Sequence, residues 1–447
     1  MALTTVGCRL NQYETEKLAN ELIRQGLDRV PYAEEADLYI LNTCTVTGRA
    51  DADCRNLISR AYRKNPAAII AVVGCYVVAD RERVAEMSGV DLVVGNDDKH
   101  KLPEILRDNF RELFKTPAEE SARGVSSVDL PMARSNGTSF APAPPNRAMV
   151  KIGDGCNQRC SYCIVPSVRG ELVSYEAKGI IAEVENLIDH GYHEIVLTAV
   201  HIGKYKNRKL NLAGLVEKIL DTTTLSRLRL SSLEPNELDR RLLELVTDHP
   251  RICRHLHLPL QSGSNRILKV MYRPYCRSDY MKQLKRIKKA NAEVTIGCDL
   301  IVGFPGESDK DFAASLAVLD SGLIDYAHVF SYSDRPGTPA SDMGGKISPQ
   351  IIKEHNRQAR EIARRARLRY MNESVGTVVG VISEGRADRD GNFWGVSDNY
   401  LKVKLPAGTG GKRSIVEVRP TRLVKSETPG HDGGYLESEL AESHPAE

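Results

Sequence analysis

The segment Cys156-Asn157-Gln158-Arg159-Cys160-Ser161-Tyr162-Cys163 places three thiols within eight residues of this 447-residue chain. It follows a short apolar run at residues 148–152. A structural zinc site usually takes four ligands, grouped as separated cysteine pairs. Three closely spaced thiolates instead suit a cubane iron–sulfur cluster, whose fourth iron stays open to a ligand other than cysteine. The segment therefore predicts an iron–sulfur site, with a zinc knuckle or buried thiols as the alternatives.

The composition indicates a chain of several domains with reduced cysteines. Apolar residues make up 41% of the sequence, and the net charge of +3 restricts any nucleic-acid site to a local patch. Ten cysteines are too sparse for a disulfide scaffold, which favours a reducing cytoplasm. The N-terminus lacks a signal-peptide pattern, and the longest apolar run, at residues 69–79, is too short to span a bilayer. We therefore expect a cytoplasmic protein with no membrane partner.

The N-terminal third has the pattern of a Rossmann-like parallel α/β domain. Apolar strands are predicted at residues 2–6, 38–41 and 69–73, each followed by a helical pattern, with a shorter strand at 92–94. The first three strands are followed by Cys8, Cys44 and Cys75. Because the carboxyl ends of parallel strands are neighbours in space, these thiols predict a second three-cysteine cluster site. The alternative is three unrelated buried cysteines.

The composition also predicts the domain boundaries. Residues 116–145 are rich in Pro, Ser, Ala and Gly and are interpreted as a linker between an N-terminal domain at 1–115 and a central domain at 146–372. A small β-barrel is predicted at 373–425, because short strands and turn signals alternate there. Residues 426–447 are acidic and are predicted to form a disordered tail.

The central domain contains six successive strand–helix units. Six units, rather than eight, predict an open partial (β/α)6 barrel with its active site at the carboxyl ends of the strands. The first strand would deliver the cysteine segment to that end. The predicted strands are residues 148–152, 194–199, 227–231, 255–260, 294–302 and 325–332.

The CxxxCxxC pattern, with Tyr162 in its last gap, resembles the signature of the radical S-adenosylmethionine (SAM) enzymes. In that superfamily, the amino and carboxylate groups of SAM chelate the open iron, and the cluster donates an electron that cleaves the sulfonium. The resemblance therefore implies SAM and a [4Fe-4S] cluster as cofactors. The strand ends of the barrel would supply the SAM contacts, and the candidate cofactor-binding residues are Tyr162, Thr198, Ser232, Glu234 and Gln261.

Longer motifs resemble the methylthiotransferases, which are radical SAM enzymes with a second [4Fe-4S] cluster. The resemblance runs from Gly7-Cys8-Arg9-Leu10-Asn11 through the six cysteines to Asp299-Leu300-Ile301-Val302-Gly303-Phe304-Pro305-Gly306-Glu307. It implies that both cysteine sets hold clusters and are catalytic. Residues 7–16 and 231–235 look most like the branch that acts on threonylcarbamoyladenosine in tRNA. Arg169 begins a stretch that carries less positive charge than its counterpart in the family.

The C-terminal portion resembles the small RNA-binding (TRAM-like) β-barrel of the same family, with Gly395-Val396-Ser397-Asp398-Asn399-Tyr400 as the matching motif. Trp394 and Tyr400 are candidates for stacking on bases, and Lys402 for phosphate contact. A packing role inside the barrel is the alternative for the aromatic residues. Arg364 lies on a predicted arginine-rich helix at 350–372, which is either a solvated face or a phosphate-contacting strip.

The resemblance implies a tRNA methylthiotransferase that makes 2-methylthio-N6-threonylcarbamoyladenosine next to the anticodon. Its partners would be tRNA, an electron donor such as flavodoxin or ferredoxin, and a sulfur donor. The alternative substrates within the same chemistry are isopentenyladenosine in tRNA and an aspartate of a ribosomal protein. A non-catalytic iron–sulfur protein that binds RNA or transfers electrons is the alternative from another class.

Overall fold

The computed structural model describes residues 1–114, 147–388, 391–406, 408–409, 415–426 and 433–441. The predicted linker at 116–145 lies outside these residues. Every helix in the described part of the chain is too short or too polar to span a lipid bilayer.

The N-terminal domain is a four-stranded parallel sheet in the order β1-β2-β3-β4, as the strand–helix pattern predicts. Apolar residues on both faces of the sheet pack under helices, and this forms two separate cores, one on each side. The strands are β1 (Ala2–Thr5), β2 (Leu38–Thr43), β3 (Ile69–Gly74) and β4 (Leu92–Val94). The helices are α1 (Arg9–Arg24), α2 (Gly48–Lys64), α3 (Cys75–Ala79), α4 (Arg81–Ala85) and α5 (Leu102–Asn109), with 3₁₀ turns at Lys99–Lys101 and Arg111–Leu113.

The central domain begins with β5 (Arg147–Lys151), and two short strands, β6 (Gly153–Asp154) and β7 (Val173–Ser174), pair across the base of the cysteine loop. Its main strands form two three-stranded parallel sheets, β5-β8-β11 and β12-β13-β14, which meet at the Leu228–Ile252 bridge. This is the predicted partial barrel of six strands, with one large apolar core between strands and helices. The other strands are β8 (Glu194–Thr198), β9 (Lys206–Asn207), β10 (Leu210–Asn211), β11 (Arg227–Leu230), β12 (His255–His257), β13 (Thr295–Val302) and β14 (Tyr326–Ser331).

Amphipathic helices cover the outside of the central barrel. Several begin at residues whose side chains accept a backbone N–H of the first turn, for example Ser264, Ser308 and Ser348. The helices are α6 (Val165–Arg169), α7 (Ala177–Asp189), α8 (Leu212–Thr222), α9 (Arg240–Asp248), α10 (Asn265–Val270), α11 (Arg277–Ala290), α12 (Asp309–Leu319) and α13 (Pro349–Glu373), and 3₁₀ turns lie at Ile202–Lys204, Pro235–Glu237 and Pro339–Asp342.

The C-terminal domain is a closed five-stranded barrel in the order β15-β16-β17-β19-β18. Its strands are β15 (Val379–Ala387), β16 (Phe393–Ser397), β17 (Lys402–Leu405), β18 (Ile415–Lys425) and β19 (Gly434–Leu440). β19 contradicts the prediction of a disordered tail from residue 426. This strand closes the barrel by pairing with β17 and β18, and Leu436 is fully buried in the core.

A loop of the small barrel docks onto the start of the central strands. This floor loop (residues 397–400) presents four consecutive backbone carbonyls to the central domain. Arg229 donates to Ser397 O and Asp398 O at 3.0 and 2.9 Å, Thr295 Oγ1 donates to Asn399 O at 2.8 Å, and Arg367 donates to Tyr400 O at 2.8 Å. The small barrel therefore closes the end of the central barrel opposite the cysteine loop.

Candidate functional site: two cysteine triads at a domain interface

The loop triad (Cys156, Cys160 and Cys163) lies in a tight loop after β6. The backbone turns at Gly155, with φ of +66°, and a Cβ atom there would lie 1.9 Å from Glu171 O. Cys156 N then donates to Gly170 O at 3.1 Å, which joins the two ends of the loop. Only glycine fits this close approach, and it fixes the direction from which the loop presents its thiols.

A histidine and a carboxylate orient the first thiol of the loop triad. His201 donates from Nδ1 to Cys156 Sγ at 3.5 Å and from Nε2 to Glu237 Oε1 at 2.8 Å. Burial alone would lower the pKa of His201, but its hydrogen bonds to Cys156 and Glu237 outweigh burial and raise the pKa to about 9. The imidazole of His201 therefore bridges Cys156 and Glu237, and its raised pKa favours the cationic form.

Arg273 orients the second thiol of the loop triad, that of Cys160. Its Nη1 donates to Cys160 Sγ at 3.2 Å, and its other amino group is ion-paired with Glu234. Its Nε donates to the Tyr275 hydroxyl, which is anchored on Pro259 O at 2.8 Å. The guanidinium is almost fully buried, so its position is fixed.

The strand-end triad (Cys8, Cys44 and Cys75) lies at the carboxyl ends of β1, β2 and β3, as the sequence predicts. Each of the other two thiolates would raise the pKa of Cys44, so the three lie within electrostatic reach of one another. Cys8 is exposed at the end of β1, while Cys44 and Cys75 are buried.

The two triads are neighbours across the domain interface. Cys75 packs in one small cluster with Ile164 and Val168, which directly follow the loop triad in the chain. Asn96 joins the same two elements, since its Nδ2 donates to Cys75 Sγ at 3.4 Å and to Val168 O at 2.6 Å. Helices α3 and α6 are therefore in direct contact, and the fold brings the segments that carry the two triads together.

A buried ion network holds this interface together. Glu14 of α1 accepts from Lys99, Lys151 and Arg169 at 2.6, 2.7 and 3.0 Å. Asp154 also accepts hydrogen bonds from Lys151 at 2.5 Å and from Arg169 at 3.0 Å. Burial opposes ionisation of Glu14, but the three cations outweigh it and hold its pKa well below the ordinary value. The network fixes the N-terminal sheet against the cysteine loop.

The donor set of both triads fits a cluster. All six thiols are free, and burial raises the pKa of Cys163 to about 12, so a bound metal has to displace its proton. Across the described residues, no three His, Cys, Asp or Glu side chains converge on one point as a single metal ion requires. A cubane cluster takes each thiolate on a separate iron, so three thiols per triad match the ligand number of a cluster with one open iron.

The predicted cofactor-binding residues occupy different environments around the loop triad. Thr198 is buried at the end of β8, and Tyr162 packs among apolar side chains beside Met271 and Phe304. Glu234 is held by Arg273, as described above. Gln261 follows β12 and has an unusual backbone φ of +62°. It forms an isolated parallel β-bridge with Leu300 of β13. Ser232 is exposed. Their roles as SAM contacts remain predictions.

Sequence reasoning missed His201, Glu237 and Arg273 as partners of the cysteines. His201 and Glu237 follow β8 and β11, so their strand-end positions were the available signal. Arg273 follows α10 at a turn and has no such signal, because its contact with Cys160 spans 113 residues.

The predicted RNA-binding residues divide into two groups. The first group is exposed or partly exposed and comprises Trp394, Lys402 and Arg364. Lys402 Nζ lies 4.8 Å from the centre of the Trp394 ring, and Arg364 forms an ion pair with Glu361. Tyr400 contradicts the prediction of a free ring for base stacking on the small barrel. Its ring stacks on His255 at 4.7 Å and on Tyr326 at 5.7 Å, so it belongs to the floor of the central barrel.

Two family models match the chain. Residues 1–95 match a family described as "Uncharacterized protein family UPF0004", and residues 150–319 match the "Radical SAM superfamily". The first range contains the strand-end triad and the second contains the loop triad.

Named proteins are similar over nearly the whole chain. The threonylcarbamoyladenosine tRNA methylthiotransferase MtaB of Bacillus subtilis is 32% identical, covering 99% of this chain and 98% of that protein. MtaB of Aquifex aeolicus is 34% identical over 90% of this chain and 96% of that protein. The tRNA-2-methylthio-N(6)-dimethylallyladenosine synthase of Alkalilimnicola ehrlichii is 32% identical over 95% of this chain and 96% of that protein.

Among solved structures, the radical SAM methyltransferase TsrM of Kitasatospora setae has a similar fold. Its TM-score is 0.54 at 16% sequence identity, and the match covers 76% of this chain and 74% of that chain. This likeness shows a shared architecture and nothing about the substrate.

Proposed function

The chain belongs to the radical SAM methylthiotransferases, and from that premise we propose that it acts on N6-threonylcarbamoyladenosine next to the anticodon of tRNA. The product would be the 2-methylthio derivative of that nucleoside. The relatives named for this activity in Bacillus subtilis and Aquifex aeolicus support this substrate, as do residues 7–16 and 231–235.

The proposed reaction explains why SAM and an iron–sulfur cluster are needed. The hydrogen on C2 of an adenine ring is neither acidic nor bound to an electrophilic carbon, so acid–base chemistry does not replace it. SAM bound at a reduced [4Fe-4S] cluster supplies a carbon-centred radical, which can abstract such a hydrogen, while the protein provides positioning and electrostatics.

The chain's own residues would divide these tasks. The loop triad would hold the cluster that binds SAM, with His201 and Arg273 stabilising two of its thiolates. The strand-end triad would hold a second cluster, where a sulfur is methylated before transfer. The ion network around Glu14 and Arg169 would keep the two sites in fixed relation.

The observation that carries the proposal is the contact between the segments that hold the two triads. Cys75 packs against Ile164 and Val168, which follow Cys163 in the chain, and Cys8 is exposed. A two-centre reaction requires that one substrate carbon be reached from both centres, and a non-catalytic iron–sulfur protein has no such requirement. We further propose a cytoplasmic enzyme that receives electrons from a flavodoxin or ferredoxin and sulfur from a separate donor.

The test is anaerobic reconstitution of the full chain, followed by iron counting and assay on tRNA. One sample carries threonylcarbamoyladenosine and a second carries isopentenyladenosine at the same position. We expect two clusters per chain and a methylthio product from the first tRNA alone. Product from the isopentenyl tRNA alone would overturn the substrate, and one cluster per chain would overturn the two-centre mechanism.

A further inference from the structure

The floor of the central barrel gathers several arginines. Arg9, Arg147, Arg229 and Arg367 all lie close enough to Tyr400 to act on the charge of its hydroxyl. Glu194 neutralises part of this charge, since it is ion-paired with Arg229 at 2.7 Å and lies 3.9 Å from Arg147.

Two of these arginines lack a carboxylate partner. Arg9 donates from Nη2 to the Tyr400 hydroxyl at 3.2 Å, and Arg367 donates from Nη2 to the Tyr400 carbonyl. Neither forms an ion pair with any carboxylate in the described part of the chain. Arg367 is 9% exposed, and its Nη1 has no hydrogen-bond acceptor among the described residues. Cations withdrawn from water are normally paired, so the buried Arg367 and the half-buried Arg9 favour an anion nearby.

Accessible space borders the floor. Tyr400 keeps part of its surface accessible. On β14, Tyr326 lies at the floor, and His328 and Phe330 on the same face are exposed. Arg9 follows Cys8 directly in the chain, so its side chain extends from the strand-end triad to the floor.

Electrostatics agree with an anion site there. Burial alone would raise the pKa of Tyr400, but Arg9, Arg147, Arg229 and Arg367 outweigh burial and lower the pKa below its ordinary value. The same field favours any anionic group that enters this space.

We propose that Arg9, together with the Tyr400 hydroxyl to which it donates, binds the carboxylate of the threonylcarbamoyl group of the substrate, and that the buried Arg367 adds positive charge behind this site. The three residues come from the three domains, so the site exists only in the assembled chain. This inference rests on the proposed function and deepens it, because the carboxylate distinguishes threonylcarbamoyladenosine from isopentenyladenosine, whose side chain is apolar. An apolar side chain would leave both guanidinium groups unpaired, and the floor therefore selects the anionic nucleoside.

The test uses the reconstituted full chain and two anticodon stem–loop RNAs. One carries N6-threonylcarbamoyladenosine, and the other carries the same nucleoside with its carboxylate converted to a carboxamide. For the wild type, we expect kcat/KM to fall by about tenfold to a hundredfold from carboxylate to carboxamide, as for loss of a charge-assisted hydrogen bond. In Arg9→Gln, kcat/KM should fall to that lower level for the carboxylate RNA and stay within about twofold for the carboxamide RNA.

Controls separate recognition from folding. Arg9→Lys keeps the charge and should restore part of the preference. Arg24→Gln removes an arginine of the same helix whose side chain is 71% exposed, and both RNAs should react as with the wild type. Iron content and RNA-independent SAM cleavage should be unchanged in Arg24→Gln.

Two results would overturn the carboxylate site while leaving the proposed function in place. One is equal use of both RNAs by the wild type. The other is an equal loss for both RNAs in Arg9→Gln, which indicates a structural role. Absence of product from both RNAs with the wild type would overturn the proposed function itself, and the carboxylate assignment with it.

Discussion

Among single residues, the six cysteines of the two triads divide the proposed chemistry between them. Replacing any residue of the loop triad with alanine should abolish SAM cleavage, because the iron that binds SAM belongs to that cluster. Replacing any residue of the strand-end triad should abolish methylthiolation and leave some SAM cleavage. The measurement is 5′-deoxyadenosine and methylthio product from the same reaction.

The matched control is Cys276→Ser. Cys276 is half-buried at the start of α11, far in sequence from both triads, and serine is a good residue at a helix start. This variant should retain both activities. Equal loss of SAM cleavage in the two sets of triad variants would contradict the division of labour.

Glu194 is the residue whose loss should most weaken the barrel floor. It is fully buried and contacts Arg229 at 2.7 and 3.2 Å and Arg227 at 3.4 Å. Glu194→Gln leaves these arginines without their counter-charge, and it should lower the free energy of unfolding by about 3 to 5 kcal/mol in urea titrations. The control is Glu244, which forms an exposed ion pair with Arg240. Glu244→Gln should lower the free energy of unfolding by less than about 1 kcal/mol.

The effect of Glu194 should depend on pH in a defined direction. Burial opposes its ionisation, but the arginines outweigh burial and lower its pKa from 4.5 to about 2. A lowered pKa contributes stability that is complete above pH 4.5 and is lost as the pH falls toward 2. The stability difference between the wild type and Glu194→Gln should therefore be constant near neutral pH and shrink below pH 4.5. A difference that grows on acidification would contradict this assignment.

At the scale of elements, the cysteine loop depends on one glycine. Gly155→Ala would place a methyl group 1.9 Å from Glu171 O in a backbone region that favours glycine. We expect loss of the loop-triad cluster and of SAM cleavage, while the other cluster remains, so that the iron content falls by about half. Gly179→Ala, in an exposed turn of α7 with open space around it, should retain full iron and activity.

The last strand of the small barrel is a second element with a clear test. A chain that ends at residue 426 lacks β19, which leaves β17 and β18 unpaired at one edge and removes Tyr435 from its edge-on contact with Trp394. Trp394 is the sole tryptophan, so its fluorescence should shift to longer wavelength and the thermal midpoint should fall. A chain that ends at residue 441 keeps β19 and should match the wild type. Identical behaviour of the two truncations would mean that β19 contributes nothing.

At the scale of the whole molecule, the small barrel is docked onto the central barrel through the floor loop, and we expect SAM cleavage to depend on this contact. The floor loop receives hydrogen bonds from Arg229, Thr295 and Arg367 of the central domain. Removing residues 375–447 leaves these donors unpaired, so RNA-independent SAM cleavage should fall by about tenfold or more together with tRNA binding. A truncated chain that cleaves SAM at the full rate and loses tRNA binding alone would show that the small barrel is a separate RNA-binding module.

The sequence separation of the contacting residues explains which features of the whole molecule could be predicted. The six strands of the central barrel and the strand-end cysteines follow from local apolar patterns, and their observed bounds lie within a few residues of the predicted ones. β19 was not predictable because its surroundings are acidic and it pairs with distant strands. The stacking of Tyr400 on His255 was not predictable, because the two residues are 145 positions apart and the local motif around Tyr400 does not indicate the contact.

The sequence by itself determined the chemistry of this protein: six cysteines with cluster spacing and strand-end placement, on parallel strands whose order follows from alternating local patterns. These features depend on neighbours within a few residues, and their physical causes are local. The tertiary structure alone decided how the segments that carry the triads meet, which cations hold the interface, and that Arg9 and Arg367 both bond to Tyr400. Those contacts join domains across hundreds of residues, and burial and charge balance in three dimensions select them.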